Sequence, residues 1–366
     1  MNNTDKEYLR ILKELCDKAE TIEEFKEDRT GTGTISIFGP QIKFNFDEGF
    51  PILTTKNVYF KAIKTELLWF LGLHLQDKRY ADLGITNIRY LLDNNVHIWD
   101  EWPFQDYLKK NNLDSKFYKH TEKWKEEMKG FCEKVQTDDE FAKKYGTIGY
   151  GYGKQWTEYS NPIICDGEGW YDEGINQIEY IINELETNPD SRRMLVNAWN
   201  VSELDDITLL PCHYSFQLYT TIMNEKERAH RWCKEIERDQ SYCSKLTHAK
   251  MDEIGVPTRS ISLLWNQRSC DYFLGIPFNI TSYALLLSII GNEVNMFPDE
   301  LIGNFGDCHL YSNHLEQAKE QLSREIKYKL PKLSLKKQLS DDGFNIDDIK
   351  LVGYKKDKTI KAPIAV

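Results

Sequence analysis

Apolar residues recur at helical spacing near the start of the chain, in Tyr8-Leu9-Arg10-Ile11-Leu12-Lys13-Glu14-Leu15, and predict an opening amphipathic helix. Gly31 and Gly33, set among threonines, lead into Ile35-Ser36-Ile37-Phe38, where apolar and polar residues alternate as on a strand. A second alternating run, Ile42-Lys43-Phe44-Asn45-Phe46, follows Gly39-Pro40, so the two are expected to pair as a hairpin. From Val58 to Leu71 the pattern turns helical and becomes wholly apolar at Leu67-Leu68-Trp69-Phe70-Leu71. That helix should be buried, which makes the carboxyl of Glu66 inside it conspicuous. Another helix fits Ile175 to Leu185 and stops before Asn188-Pro189, since a residue preceding proline is pushed out of helical backbone. Strand-like runs follow at Met194 to Trp199, Tyr214 to Ile222 and Ser260 to Asn266, then a buried helix at Ile280 to Ile290 and a late strand around Ile349 to Tyr354.

Two blocks, about 106–144 and 225–259, differ in texture: they are dense in charges of both signs and read as helical or irregular surface excursions. No repeat, low-complexity tract or Pro/Ser-rich linker separates domains, so a single domain over 1–366 with two charged insertions is expected. With 47 basic and 58 acidic residues the net charge is −11, which argues against general binding to duplex DNA; no specific nucleic-acid partner is expected. The mostly apolar run at Ile280 to Ile290 is too short for a bilayer, which needs about 20 such residues. The first residues show neither the basic nor the apolar part of a secretory signal. Eight cysteines without a Cys-x-x-Cys pair read as reduced thiols. A soluble, cytoplasmic, globular protein is the expectation.

Chemistry is concentrated in a few short motifs. In Pro211-Cys212-His213 a cysteine lies between strand-like runs; it needs a positive neighbour to act as a thiolate nucleophile, and taken alone it is more often a small buried side chain. Arg29, Arg192 with Arg193, and Arg268 each stand next to Ser or Thr residues. Their forked guanidinium groups suit phosphate oxygens, so in an acidic protein they suggest a discrete phosphate pocket, although surface ion pairs would also account for any one of them. The Gly31/Gly33 stretch matches neither the dinucleotide fingerprint nor a Walker lysine, and no flavin or nicotinamide is signalled.

Taken in order, the motifs resemble those of the thymidylate synthase family. They are Asp28-Arg29-Thr30-Gly31-Thr32-Gly33-Thr34, Glu66-Leu67-Leu68-Trp69-Phe70-Leu71, Ile98-Trp99-Asp100-Glu101-Trp102 and Tyr152-Gly153-Lys154-Gln155-Trp156. Ser191-Arg192-Arg193, Pro211-Cys212-His213, Gln267-Arg268-Ser269-Cys270-Asp271 and Phe273-Leu274-Gly275-Ile276-Pro277-Phe278-Asn279-Ile280 follow. Gly306-Asp307-Cys308-His309-Leu310-Tyr311-Ser312-Asn313-His314 and Ile360-Lys361-Ala362-Pro363-Ile364-Ala365-Val366 close the series. Each is weak alone; the ordered set is specific.

The resemblance implies an α+β fold, a mixed β-sheet flanked by helices, in an obligate homodimer packed sheet to sheet. It implies reductive methylation of dUMP to dTMP, with 5,10-methylenetetrahydrofolate as co-substrate and no metal, flavin or nicotinamide. Cys212 is the implied nucleophile, activated by Arg268, with Glu66 and Tyr152 managing protons and Asn279 reading the base. Arg29, Arg192, Arg193, Gln267, Arg268, Ser269, Asp271, Asn279, His309 and Tyr311 are the implied dUMP residues, with Arg192 and Arg193 supplied by the partner subunit. Lys56, Trp99, Trp102, Asp271, Leu274, Gly275, Phe278, Ala365 and Val366 are implied for folate. Asn279 can equally be an N-cap for a helix starting at Ile280.

Three positions depart from the family pattern: Thr157, Asn266 and Leu210 stand where Arg, Tyr and a small residue are usual. About a dozen extra residues lie between Phe70 and Asn87, and the 225–259 block has no recognised counterpart; its His230, Cys233, Cys243 and His248 have irregular spacing, so no metal is expected. A dUMP hydroxymethylase on the same scaffold and a non-catalytic nucleotide-binding regulator are the competing readings.

Overall fold

A computed structural model describes residues 2–364 apart from 23, 29, 120, 161, 164–170 and 173. The chain divides into two compact units, one comprising Met1–Phe60, Ile181–Leu195 and Cys212–Val366, the other Lys61–Tyr180 and Val196–Pro211.

The first unit is organised on a mixed sheet. Its central strand, Phe297–Tyr311, pairs in parallel with Arg259–Asp271 on one side. Strand His213–Ile222 then pairs antiparallel with Arg259–Asp271. On the other side of the central strand lie Thr34–Phe38 and Gln41–Asn45, both antiparallel to it. The two parallel strands are joined by the helix Ile276–Glu293, which packs on both, because a parallel pair needs a crossover long enough to return to the same edge. That helix is buried nearly all round, which accounts for its unbroken apolar character. The opening helix, Asn3–Ala19, is capped by the Asn2 side chain and buries Tyr8, Ile11, Leu12 and Leu15. Tyr8 stacks on Tyr272 at 4.9 Å, and each hydroxyl donates to the other's backbone carbonyl at 3.0 Å.

The expected hairpin at Gly39-Pro40 is not formed. Phe38 faces Asp307 and Gln41 faces Asn304, so the two runs continue along the same partner strand instead of reversing. Gly39 donates to the Gly306 carbonyl and Pro40 accepts from Phe305 across the interruption. Pro40 has no N–H for the ladder, which breaks the strand without turning it. The central strand itself reads poorly in sequence, since Pro298, Asp299, Glu300, Gly303 and Gly306 obscure alternation. At Gly306 a Cβ would stand 2.8 Å from the Arg268 carbonyl, so close packing of the two parallel strands requires glycine there. Across the sheet, Gln41 donates to Asn304, Asn304 to Asn266 and Asn266 to Ser215, at 2.7, 3.2 and 3.1 Å. The departure at Asn266 is therefore one rung of a side-chain amide ladder.

The 225–259 block is helical, with Glu225–Glu235 opened by an Asn224–Glu227 capping box. It carries a small core of its own, in which Ala229, Cys233, Leu246, Met251 and Val256 pack with Trp232 and Phe297. Cys233 and Cys243 are joined as a disulfide, which corrects the expectation of reduced thiols throughout. Their Cα atoms are 6.0 Å apart, within bridging reach, a proximity created by the helical fold and invisible in irregular spacing.

The second unit is mainly helical. Helix Phe60–Phe70 buries Leu67, Leu68, Trp69 and Phe70. The charged 106–144 block forms most of Glu101–Lys110, Glu122–Thr137 and Asp139–Tyr145. Aromatics of these three helices converge: Phe104 meets Trp124 and Phe131, and Tyr107 meets Phe131, Phe141 and Tyr145. Among the described residues no helix is long and apolar enough to cross a membrane.

Candidate active site

In the sheet unit the candidate chemistry gathers where the parallel strands end and the crossover helix begins, the usual ligand end of such an arrangement. Cys212 immediately precedes strand His213–Ile222, and its carbonyl accepts from the Arg268 N–H at 2.8 Å. The ladder thus sets the half-buried thiol residue beside exposed Arg268. A register shift between His213 and Ser215 marks a bulge, the device that re-aims side chains at a strand end. His213 turns to the helix, where Nδ1 lies 2.9 Å from the Tyr283 hydroxyl. Burial pushes its imidazole down to about 3, so it is neutral near pH 7 and carries no positive charge for Cys212.

Strand alternation sends Gln267, Ser269 and Asp271 one way, and Asp307, His309 and Tyr311 likewise on the neighbouring strand. Register places Ser269 beside Asp307 and Asp271 beside His309. Gln267 is buried; its Oε1 accepts from the Trp265 indole at 3.2 Å, and its amide nitrogen donates to Asn279 Oδ1 at 3.2 Å. The Asn279 amide is therefore held from the sheet. The helix starts at Ile276 with Gly275 as its cap, so Asn279 lies within the first turns and is not the N-cap. Asp271 Oδ1 accepts from the N–H groups of Phe273 and Leu274, which shapes the turn into the helix. Leu274, Gly275 and Phe278 stand half-buried at that end. The His309 ring is 5.2 Å from that of Tyr311, and its Nδ1 is 3.2 Å from Asp307 Oδ1.

Lys56 is buried, donates to the Phe273 carbonyl and lies 3.8 Å from the centre of the Phe273 ring. Burial lowers its ammonium to about 7, against the opposing charge of Asp271. Here it braces the turn that carries Leu274. Arg192 and Arg193 are exposed, after Ser191. Arg29, Ala365 and Val366 lie outside the described residues.

In the helical unit a second constellation surrounds Glu66. Glu66 and Phe70 share a helix face through i, i+4 spacing. Trp99 donates its indole N–H to Glu66 Oε1 at 2.6 Å. Phe70 lies 4.8 Å from buried Tyr152 and 6.1 Å from Trp99. Glu66 keeps a little exposed surface, yet its carboxyl sits deep enough that burial raises its pKa to about 7, with the Trp99 bond opposing the shift. A carboxyl at that value exchanges protons near neutrality. Trp102 is half-buried on helix Glu101–Lys110, and Thr157 donates its hydroxyl to the Gly153 carbonyl at 2.9 Å. Among the described residues no group of three or more His, Cys, Asp or Glu is arranged to hold a metal.

The Gln267–Asn279 contact has no signal in the sequence, nor has a role for His314; all three residues fall in quoted motifs, but no spacing rule connects residues of different elements.

A family model for thymidylate synthase matches residues 6–366. The thymidylate synthase of Listeria monocytogenes serotype 4b (strain CLIP80459) is 41% identical over 356 residues, covering 93% of this chain and 95% of that protein. That of Mycoplasma mobile is 38% identical over 361 residues, covering 98% and 99%. Similarity of this extent, over almost the whole chain, is decisive: the chain belongs to the thymidylate synthase family.

Proposed function

We propose that this chain is a thymidylate synthase, converting dUMP to dTMP. The observation that carries the reading is the amide of Asn279, held by buried Gln267 at the end of the strand whose Arg268 N–H binds the Cys212 carbonyl. An amide offers one acceptor and one donor, the complement of uracil's N3–H and 4-oxo edge. Asn279 Oδ1 has a second lone pair for N3–H beyond the one Gln267 occupies, and its N–H group suits the 4-oxygen.

In this mechanism Cys212 adds as a thiolate to uracil carbon-6, and the electron pair moves to make carbon-5 an enolate-like nucleophile. Arg268, with Arg29 on the same chain and Arg192 and Arg193 from a partner subunit, holds the 5′-phosphate and supplies positive charge that favours the thiolate. Ser269 adds a hydroxyl to that set, and His309 with Tyr311 takes the ribose. Glu66 holds or releases a proton toward the 4-oxygen and the folate, and Tyr152 assists loss of the carbon-5 proton. 5,10-Methylenetetrahydrofolate supplies the one-carbon unit and the hydride. Asp271 meets its pterin, Trp99, Trp102, Leu274, Gly275 and Phe278 wall it and exclude water, and Ala365 and Val366 cover it. Lys56 acts in this set by bracing the Phe273–Leu274 turn. We read the protein as a cytoplasmic homodimer.

A spectrophotometric assay for dihydrofolate tests the reading. Formation dependent on both dUMP and methylenetetrahydrofolate is expected. Folate turnover without dihydrofolate would instead mean that water captures the exocyclic carbon, as in a hydroxymethylase; dUMP binding without turnover would mean a regulator.

A further inference from the structure

We infer that His314 is a positioning residue that seats the 357–364 segment against the end of the central strand, and thereby sets how closely the folate is covered. The inference rests on the reading above in which the chain beyond this segment covers folate.

His314 is fully buried between strand Phe297–Tyr311 and helix Leu315–Leu322. Its ring is 5.5 Å from that of Tyr311 and 5.6 Å from that of Phe273, the residue whose carbonyl Lys56 holds. Nε2 lies 2.7 Å from the Pro363 carbonyl. A carbonyl only accepts, so Nε2 carries the hydrogen. Nδ1 is buried without a partner among the described residues, so the ring has no second polar tie that would explain its place. The 357–364 segment is held earlier by Asp357 N–H to the Thr54 carbonyl, by Arg324 to the Lys358 carbonyl, and by buried Ile360. Beyond Ile360, the His314 bond is the one hydrogen bond to the segment among the described residues, while Lys361 and Ile364 are exposed. A single polar anchor therefore fixes the direction in which the chain leaves. It does so from a ring packed on Tyr311, a proposed ribose contact, and on Phe273, which leads into the proposed folate wall.

The test uses the full chain and the variants His314→Leu, His314→Gln and His314→Asn. Trypsin cleavage after Lys361, followed by mass spectrometry, reads the anchoring without reference to activity. In His314→Leu, cleavage should accelerate and the folate KM should rise, each by about fivefold to tenfold, the change expected for one lost hydrogen bond. The dUMP dissociation constant should move less. His314→Gln, whose amide can still reach Pro363, should restore both, whereas His314→Asn is one methylene short and should not. If the Leu variant fails to fold, the Gln and Asn pair carries the same comparison. Unchanged cleavage in the Leu and Asn variants would overturn the inference, as would a Gln variant no better than Asn. Faster cleavage with an unchanged folate KM would overturn the folate role instead, and with it the reading that this end of the chain covers folate.

Discussion

Glu66 shows what placing one charge among aromatic residues does. Its carboxyl titrates near 7 because burial disfavours the carboxylate more than the Trp99 indole stabilises it. A carboxyl raised on folding is neutral in both states at low pH, whereas above its unfolded value the native state must resist or accept an unfavourable charge. Stability is thus lost as pH rises from about 4.5 toward 7, and the loss stays complete above that. Glu66→Gln keeps an acceptor for Trp99, so it should stabilise the fold at pH 8 by on the order of 2 kcal/mol and by almost nothing at pH 4, as measured by denaturant titration. The same variant should lose most of its turnover. Cys212→Ser should abolish turnover and leave dUMP binding largely intact, since a hydroxyl is far less nucleophilic and the other contacts remain; wild-type-like turnover would remove Cys212 from the mechanism. Asn279→Asp keeps the acceptor for Gln267 but removes the N–H group proposed to meet the uracil 4-oxygen. Preference should shift from dUMP toward dCMP in a competition assay, and unchanged selectivity would leave Asn279 with only its contact to Gln267.

Among the elements, the 225–259 block is the clearest addition to the sheet unit. It buries its own small core and reaches outward through Arg231 to Asp299 and through Glu237 to Lys332. Met223 N–H binds the Thr258 carbonyl at 3.1 Å, so the two strands already meet at the base of the block and a short turn can replace it. A variant lacking 224–256 should keep its activity, because no proposed site residue lies there. It should melt earlier, since Phe297 loses its apolar cover, by on the order of 1–2 kcal/mol. Inactivity in a soluble, folded deletion variant would show that the block shapes the site or the dimer.

For the whole molecule, the dimer reading gives an outcome no single-chain model produces. Cys212→Ala protein and Arg192→Ala/Arg193→Ala protein should each be inactive. After subunit exchange in equal amounts, about half the dimers are mixed, and about a quarter of all sites receive intact cysteine and intact arginines by two-fold symmetry. Recovered activity near that fraction is expected once chromatography shows a dimer and mass spectrometry shows exchange. Confirmed exchange without recovery would place both arginines in their own subunit's site.

Local patterns were enough to locate the opening helix, helix Phe60–Phe70 with its anomalous Glu66, the helix ending before Pro189 and the buried crossover helix, because burial and backbone stereochemistry leave periodic marks over a few turns. Ordered motifs likewise pointed to the family, since they sample residues spread over almost the whole chain. Pairing was a different matter. Gly39-Pro40 looked like a reversal, and only the shared partner strand made it an interruption; Phe297–Tyr311 hid behind its glycines, proline and acids although it is central to the sheet. The Gln267–Asn279 amide contact, the Trp99 bond to Glu66, the Cys233–Cys243 bridge and the His314 bond to Pro363 all join residues of different elements. Such contacts depend on strand register, helix rotation and loop closure together. A linear sequence carries each residue's chemistry and local preference, but the distances that turn those residues into a site exist only once the chain has folded.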